Sequence, residues 1–187
     1  MADVAAARLN MVESQVRTQD VTDVRIHDAM RAIPREGLVA PRDAWRAYAD
    51  VEVEYAPGRF LLKPREVAKL LQALRPMPEE RTLAISAPYA AAVIAALGGR
   101  VQQVEVDGDL PQGPFDMVVC EGAVARAPQA WLSLLSASGR LGVVERDGAV
   151  GKACLYVHAN QQIGRRDLFD SFAPVIAGFE AQHGFAL

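Results

Sequence analysis

Residues 83–97 read LAISAPYAAAVIAAL: a short apolar run, a break at Ser86–Pro88, and an alanine-rich segment. Pro88 suits the first turn of a helix, and the pair Gly98-Gly99 favours its end. A strand, a tight turn and a helix in this order form the ligand-binding end of a Rossmann-like domain. The glycines that usually line such a turn are absent. The stretch therefore predicts either a cofactor site with unfamiliar chemistry or a site that has been lost.

The same alternation of strand and helix patterns continues through the rest of the chain. Alternating strands and helices imply a parallel sheet covered on both faces. The turn signal Asp147-Gly148 favours an antiparallel hairpin near the end, which is typical of methyltransferase sheets. We predict helices at 64–74, 88–97 and 128–137, and strands at 81–86, 100–106, 114–120, 140–146 and 151–159, with one more strand within 165–179.

Two helical patterns precede this core. Apolar residues recur at helical spacing in segment 5–17 and again in segment 24–33, where Pro34 ends the second pattern. A length of 187 residues fits one domain. We therefore predict a single domain over 1–187, with a helical N-terminal extension at 1–63 and a Rossmann-like core at 64–187, and the antiparallel ending of the sheet makes a methyltransferase-like domain the expectation.

Composition excludes several functional classes. Hydrophobic residues make up 51% and charged residues 23% of the chain, and the net charge is −3. Lys and Arg are scattered, so no basic stripe favours a nucleic-acid partner. The N-terminal residues lack the pattern of a signal peptide, and the apolar stretches are too short to span a membrane. We expect a cytoplasmic protein that binds neither nucleic acid nor membrane.

The cysteines and histidines give no sign of a metal site. Cys120 and Cys154 lie in apolar strand patterns, which favours two buried reduced thiols over a disulfide or a nucleophile. His27, His158 and His183 are far apart in the sequence. No spacing of metal ligands is found, and we predict no metal.

Five segments in fixed order carry a resemblance to a known family. They resemble the protein-L-isoaspartate O-methyltransferases, and the resemblance covers nearly the whole chain. Members of that family use S-adenosylmethionine to methylate the side-chain carboxylate of isoaspartyl residues in damaged proteins. The segments are AMRAIPREGLVAP (29–41), AYAD (47–50), GRFLLKPREVAKLLQAL (58–74), FDMVVCEGA (115–123) and SGRLGVV (138–144).

The first departure from the family pattern concerns the methyl acceptor. The family has a serine in a TISQP-like stretch beside the reacting carboxylate, and Leu62 stands at the position of that serine. A leucine side chain neither donates a hydrogen bond nor moves a proton. Lys63 stands where the family has glutamine, and it either pairs with a substrate carboxylate or is simply solvated. The resemblance thus assigns no catalytic residue.

The second departure is the loop after the first strand of the core. The family has a glycine-rich loop similar to EIGTGSGY, and this chain has AISAPY, which is shorter by about three residues. Such glycines let the backbone approach a ligand closely. Pro88 also removes an amide donor from the start of the helix. Ser86 and Ala87 are therefore expected to be remnants of a cofactor site.

The third departure lies between Asp107 and Phe115. Glu105 matches the acidic residue that holds the ribose hydroxyls in the family, although a solvated carboxylate at a strand end is the common alternative. The family continues with a helix, a strand and a helix, of which only GDLPQG remains. The resemblance therefore implies a sheet that is shorter by about one strand and has a changed edge.

Three further carboxylates lie in or beside strand patterns. Glu121 and Gly122 are candidates for the pocket, because they follow the strand MVVC at the end where ligands bind in such sheets. A solvated or capping role for Glu121 is the alternative. Glu145 also faces this end, whereas Asp116 begins its strand and is expected to be structural.

Two main hypotheses follow. The first is a non-catalytic homologue (a pseudoenzyme) that does not bind S-adenosylmethionine, needs no cofactor, and is retained as a binding or structural module. The alternative is an active S-adenosylmethionine-dependent methyltransferase acting on isoaspartyl residues or another carboxylate acceptor. A third possibility is a module that binds a protein partner or forms a homo-oligomer, either through the changed sheet edge or through aromatic residues. The aromatic residues best suited to anchor an interface are Trp45, Trp131, Tyr48 and Phe60, and ordinary packing in the core is the alternative for them.

Overall fold

The computed structural model of the chain describes residues 4–181. His183, noted above, lies outside the described residues. Within these residues the main sheet has six strands, which are β3 (Arg81–Ile85), β4 (Arg100–Val104), β5 (Phe115–Val124), β6 (Leu135–Glu145), β7 (Gly151–Ala159) and β8 (Gln162–Ser171). Their order in the sheet is β4-β3-β5-β6-β7-β8. Strands β4, β3, β5 and β6 are parallel, and β7 and β8 are antiparallel to their neighbours. The predicted α/β class with an antiparallel C-terminal hairpin is confirmed.

The bounds of the core elements follow the sequence patterns closely in the first half. The helices are α3 (Pro64–Leu74), α4 (Pro88–Ala96) and the single turn α5 (Gln129–Leu132).

The N-terminal segment is helical in its first half. Helix α1 (Val4–Met11) continues through a π-helical turn at Val12–Val16, and α2 (Val24–Ala32) begins after Asp23, whose side chain accepts a hydrogen bond from the Arg25 amide. Segment 1–63 was predicted to be a helical extension, and this description is incomplete. A short antiparallel hairpin, β1 (Val53–Ala56) and β2 (Arg59–Leu61), also lies there, with Gly58 at positive φ in its turn.

The predicted helix at 128–137 is wrong over most of its length. Only Gln129–Leu132 is helical, and the chain joins the sheet again at Leu135, which pairs with Phe115. At Gly139 an added Cβ would lie 2.8 Å from the Phe115 carbonyl oxygen, so the backbones approach closely at this point. Trp131 and Leu135 are both buried, and pairing of strands overrides the local apolar helical pattern.

Two hydrophobic clusters fill the molecule. The larger one contains the buried faces of the N-terminal helices, α3 and α4. The smaller one contains Phe115, Trp131 and Ile176. Of the aromatic residues considered as interface anchors, Trp131 and Tyr48 are buried, Phe60 is half-buried, and Trp45 is 79% exposed. Cys120 and Cys154 are buried free thiols, as predicted.

Within the described part of the chain, no helix is long and apolar enough to cross a membrane.

Candidate functional site

The residues predicted to hold a cofactor lie together at the carboxyl ends of the parallel strands. Ser86 and Ala87 follow β3, and Glu105 follows β4. Glu121 and Gly122 lie within β5, which extends to Val124 and is longer than predicted. Ligands bind at this edge in open α/β sheets. The structure therefore brings these residues together at one edge of the sheet, and the contacts of each residue decide what that edge can hold.

The turn between β3 and α4 is held by the protein itself. Ser86 has φ of +44°, a left-handed conformation that is unfavourable for a residue with a Cβ. Its Oγ donates to Glu105 Oε2 at 2.7 Å and accepts from the Val106 amide at 2.9 Å. Ala87 precedes the helix and offers no side-chain cap, and Pro88 has no amide hydrogen to donate. The serine thus ties the ends of β3 and β4 together.

A carboxylate of the protein occupies the start of helix α4. Glu121 is 1% exposed, and its Oε1 accepts from the Ala90 amide at 2.7 Å. Its Oε2 accepts from the Leu62 amide at 3.1 Å. Helix N-termini are places where an anion is stabilised by free amides and the helix dipole. Here the group that accepts from the Ala90 amide is the carboxyl side chain of Glu121 on β5.

Burial has the largest effect on the pKa of Glu121. Removal from water raises the pKa of the Glu121 carboxyl above its usual range, and this effect exceeds the opposing effects of the Arg35 charge and the backbone hydrogen bonds. Arg35 is also fully buried. Its guanidinium lies 4.4 Å from the centre of the Tyr89 ring and donates to the carbonyl oxygens of Ala47 and Leu62 at 2.8 and 2.6 Å.

Glu105 is the most accessible of the predicted residues. Its side chain is 53% exposed. Besides the bond from Ser86, Oε2 accepts from the Tyr55 hydroxyl at 3.1 Å, and Arg59 Nε lies at 3.8 Å. Arg59 also lies 3.4 Å from Asp107, through Nη2. The hairpin β1–β2 therefore covers one side of the carboxylate that the family resemblance assigns to a ribose.

The two residues at the position of the acceptor site have no free polar group directed to this edge. Leu62 is fully buried. Lys63 is only 14% exposed in its side chain, and its Nζ lies 3.4 Å from Glu52 and 4.0 Å from Glu66. Neither alternative given for Lys63 describes it well, because the ammonium group is paired within the protein rather than solvated or free for a substrate.

The remaining predicted residues have structural contacts. Gly122 has φ of +127°, and an added Cβ would lie 2.8 Å from the side chain of Ile176. Asp116 accepts from the Arg81 amide at 3.0 Å and from the Ser136 hydroxyl at 3.2 Å, at the opposite end of β5. Glu145 accepts from Tyr156, Arg165 and the Ala127 amide.

Sequence reasoning missed three residues that shape this edge: Arg35, Tyr55 and Arg59. Arg35 belongs to the quoted segment IPRE, so the resemblance pointed to its surroundings but gave no reason for a buried cation. Tyr55 and Arg59 lie on the hairpin that was not predicted. Their contacts with Glu105 depend on the fold, and no local pattern indicates them.

A surface cavity of about 500 Å³ lies beyond the ends of β5 and β6. It is lined by Ala125, Arg126, Pro128, Asp147, Phe179, Glu180 and Ala181, and it includes none of the predicted site residues. Within residues 4–181, no group of three or more His, Cys, Asp or Glu side chains is placed to hold a metal ion.

Comparison with known proteins identifies protein-L-isoaspartate O-methyltransferases among the relatives of this chain. A protein-L-isoaspartate O-methyltransferase of Methylorubrum extorquens is 31% identical over 168 residues, which is 74% of this chain and 74% of the relative. One from Koribacter versatilis is 29% identical over 191 residues, covering 86% of this chain and 85% of the relative. No family model matches the sequence.

A solved structure has the same fold. It is described as a protein-L-isoaspartate O-methyltransferase from Plasmodium falciparum in complex with S-adenosyl-L-homocysteine. The TM-score is 0.74 at 15% sequence identity, and the match covers 90% of this chain and 97% of the other. At this identity the likeness concerns the fold alone.

Proposed function

The chain belongs to the protein-L-isoaspartate O-methyltransferase family, and we propose that it is a non-catalytic member that does not bind S-adenosylmethionine. In this proposal the fold is retained as a binding or structural module in the cytoplasm. Ser86, Ala87, Glu105, Glu121 and Gly122 then occupy the positions of a cofactor site without forming one. The proposal stands on the contacts of these residues rather than on the family.

The observation that carries the proposal is the position of the Glu121 carboxylate. It accepts from the Ala90 amide in the first turn of α4 and from the Leu62 amide. A cofactor lying against this turn would have to displace a buried carboxylate from its donors. Leaving a buried carboxyl without its hydrogen bonds costs several kcal/mol. The residues present therefore fit a closed helix terminus better than they fit a cofactor.

Leu62 supports the absence of catalysis independently of cofactor binding. The family resemblance places a serine at this position, beside the reacting carboxylate. Leu62 is fully buried, and only its backbone takes part in hydrogen bonds, with Glu121 and Arg35. No proton donor or acceptor is available from this side chain. An isoaspartyl carboxylate would find no hydrogen-bond partner in it.

One observation favours the alternative, an active S-adenosylmethionine-dependent methyltransferase acting on isoaspartyl residues or another carboxylate. The Glu105 carboxylate is about half exposed, and an ionised carboxylate has room for about four hydrogen bonds. It therefore retains free acceptor capacity for the two hydroxyls of a ribose. The roles that the two functions predict for Glu105 differ most clearly: it binds a ribose in the active enzyme and no cofactor in the non-catalytic homologue.

Isothermal titration of the full chain with S-adenosylmethionine and with S-adenosylhomocysteine tests the proposal. We expect no binding heat at two temperatures, the second of which excludes a chance zero of the binding enthalpy. The Methylorubrum extorquens relative, titrated in the same buffer, is the positive control. Micromolar binding to this chain would overturn the proposal, and methyl transfer to an isoaspartyl peptide would establish the alternative.

A further inference from the structure

Strand β4 leaves one edge of the main sheet open. It pairs with β3 on one side, and among the described residues no strand pairs with its other side. Residues 105–114, which follow β4, contain no regular element. The shortened connection expected from the sequence therefore places β4 at the edge of the sheet.

The register of β3 and β4 identifies which backbone groups face this open edge. The Arg100 amide donates to the Glu80 carbonyl oxygen at 2.9 Å, and the Val104 carbonyl oxygen accepts from the Ser86 amide at 2.8 Å. In a parallel pair, alternate residues direct both backbone groups to the same neighbour. Residues 100, 102 and 104 thus face β3. Val101 and Gln103 direct their N–H and C=O groups outward.

Beyond Arg100 at its start, which pairs with Glu79, the β4 edge lacks the charged side chains, prolines and bulges by which natural sheets protect an edge strand. Between Arg100 and the strand end, β4 contains only Val101, Gln102, Gln103 and Val104, paired with β3 in unbroken register. The opposite edge, β8, carries Arg165, Arg166, Asp167 and Asp170 and has a bulged register with β7. The protection is therefore on one edge only.

We infer that β4 is a self-association site, at which a second copy of this chain adds its own β4 in antiparallel orientation. A two-fold axis at Gln102 places Val101 of each copy opposite Gln103 of the other. The outward N–H and C=O groups of these two residues then form four hydrogen bonds. The two sheets become one continuous sheet.

The chemistry of the strand favours a second copy over an unrelated partner, because β4 is complementary to itself. At the axis, Gln102 meets Gln102, and an amide side chain both donates and accepts. Antiparallel pairing also brings the basic start of one strand, Arg100, towards the acidic segment after the other, which carries Asp107 and Asp109. Gln102 and Gln103 are exposed, so neither is needed for the core.

Sedimentation equilibrium over a wide concentration range tests the inference. We expect the apparent mass to rise from the monomer mass of 20.2 kDa to twice that value. The inference does not depend on the proposed function, because it rests on the sheet edge and its readout is mass rather than cofactor binding. A constant monomer mass up to the highest concentration would overturn it.

Charge variants at Gln102 test the register. Q102K and Q102E each place like charges opposite one another at the axis, which destabilises a strand pair. Each variant alone should dimerise several-fold more weakly than the parent chain. An equimolar mixture should recover dimers, because Lys then lies opposite Glu. A dimer that is unaffected by both substitutions, or a mixture without recovery, would overturn the Gln102 register.

Proline at Gln103 tests the backbone hydrogen bonds. Q103P removes an outward N–H from each copy and leaves the pairing with β3 intact, since proline is tolerated at a strand edge in this orientation. We expect dimerisation to weaken by about tenfold or more. Q103T is the matched control, because it keeps the amide and should keep the dimer. Thermal unfolding confirms that both variants fold, and equal dimerisation of the two would contradict an edge-to-edge contact.

Discussion

The carboxyl ends of β5 and β6 each hold a buried glutamate, and the two glutamates differ in their partners. Glu121 on β5 binds backbone amides of Leu62 and Ala90. Glu145 on β6 binds the Tyr156 hydroxyl at 2.5 Å, Arg165 Nε at 2.9 Å and the Ala127 amide at 2.8 Å. One carboxyl closes a helix terminus, and the other ties the C-terminal hairpin to the sheet.

The pKa values of the two glutamates shift in opposite directions because their partners differ. Burial raises the pKa of Glu121, and its partners do not compensate for this effect. Burial also acts to raise the pKa of Glu145, but the hydrogen bonds from Tyr156, the Ala127 amide and Arg165 together lower it below the ordinary value. The pKa values of two identical side chains on neighbouring strands are thus shifted in opposite directions, because among the described residues only Glu145 has a direct ion pair, with Arg165.

The largest effect is expected from Glu121→Ala. The substitution leaves the amides of Leu62 and Ala90 without acceptors. It also removes a carboxyl group that interacts electrostatically with the buried Arg35 guanidinium. We expect a loss of about 3 kcal/mol in the free energy of unfolding, measured by urea denaturation. Glu121→Gln is the matched control and should lose about 1 kcal/mol, because an amide keeps one acceptor oxygen. Equal losses would show that the helix terminus does not depend on this cap.

The pH dependence of stability should have opposite signs for the two glutamates. The folded pKa of Glu145 is lowered from 4.5, so its contribution is present above pH 4.5 and is lost as the pH falls through the folded pKa. The folded pKa of Glu121 is raised from 4.5, so stability declines as the pH rises from 4.5 through the folded pKa.

Urea unfolding of Glu121→Gln and Glu145→Gln at a series of pH values measures this difference. Relative to the parent chain, Glu145→Gln should remove the loss on the acid side, and Glu121→Gln should remove the decline above pH 4.5. The same pH dependence in both variants would contradict the opposite directions of the two pKa shifts.

A smaller effect is expected at Ser86, which connects the ends of β3 and β4. Ser86→Ala loses the bonds to Glu105 and to the Val106 amide while keeping a side chain at φ of +44°. We expect a loss of about 1.5 kcal/mol in the free energy of unfolding. Ser86→Gly loses the same bonds but relieves the left-handed strain, so it should cost about 1 kcal/mol less. A larger loss for glycine would show that the turn is not strained.

The sequence predicted those elements that depend on local pattern. Helix α4 begins at Pro88 and ends before Gly98, as proline and glycine at these positions favour. The short connection after Glu105 also indicated correctly that no strand among residues 4–181 pairs with the outer side of β4. The helix predicted at 128–137 was wrong, because pairing of Leu135 with Phe115 is a long-range contact that apolar periodicity does not report.

The site was predictable in position but not in chemistry. Strand ends located Ser86, Glu105 and Glu121 at one edge of the sheet, since parallel strands share their carboxyl ends. The Glu121 side chain points towards the start of α4, and this direction depends on how α4 packs against β5. The buried cation Arg35 depends likewise on packing between segments far apart in the sequence. Neither has a signal at the level of spacing or composition.

The smallest effect is expected from Tyr55→Phe. Together with Tyr156→Phe, this substitution compares the half-exposed Glu105 with the buried Glu145. Tyr55 donates to Glu105 at 3.1 Å, and Tyr156 donates to Glu145 at 2.5 Å. Tyr55→Phe should change the free energy of unfolding by about 0.5 kcal/mol or less, because water replaces the lost donor. Tyr156→Phe, the matched control, should cost about 1.5 kcal/mol, because water does not reach the buried carboxylate as readily.

The comparison of Tyr55→Phe with Tyr156→Phe also tests the function of Glu105. If both substitutions cost the same, Glu105 is as closed as Glu145 and has no acceptor capacity left for a ribose. If Tyr55→Phe is nearly neutral, the carboxylate exchanges its partners with water easily, and titration of this variant with S-adenosylhomocysteine becomes the most sensitive search for residual binding. Heat from the variant but not from the parent chain would mean that the hairpin hydroxyl blocks the ribose position. If neither the variant nor the parent chain gives binding heat, the Glu121 cap rather than the Tyr55 hydroxyl is the feature that prevents binding.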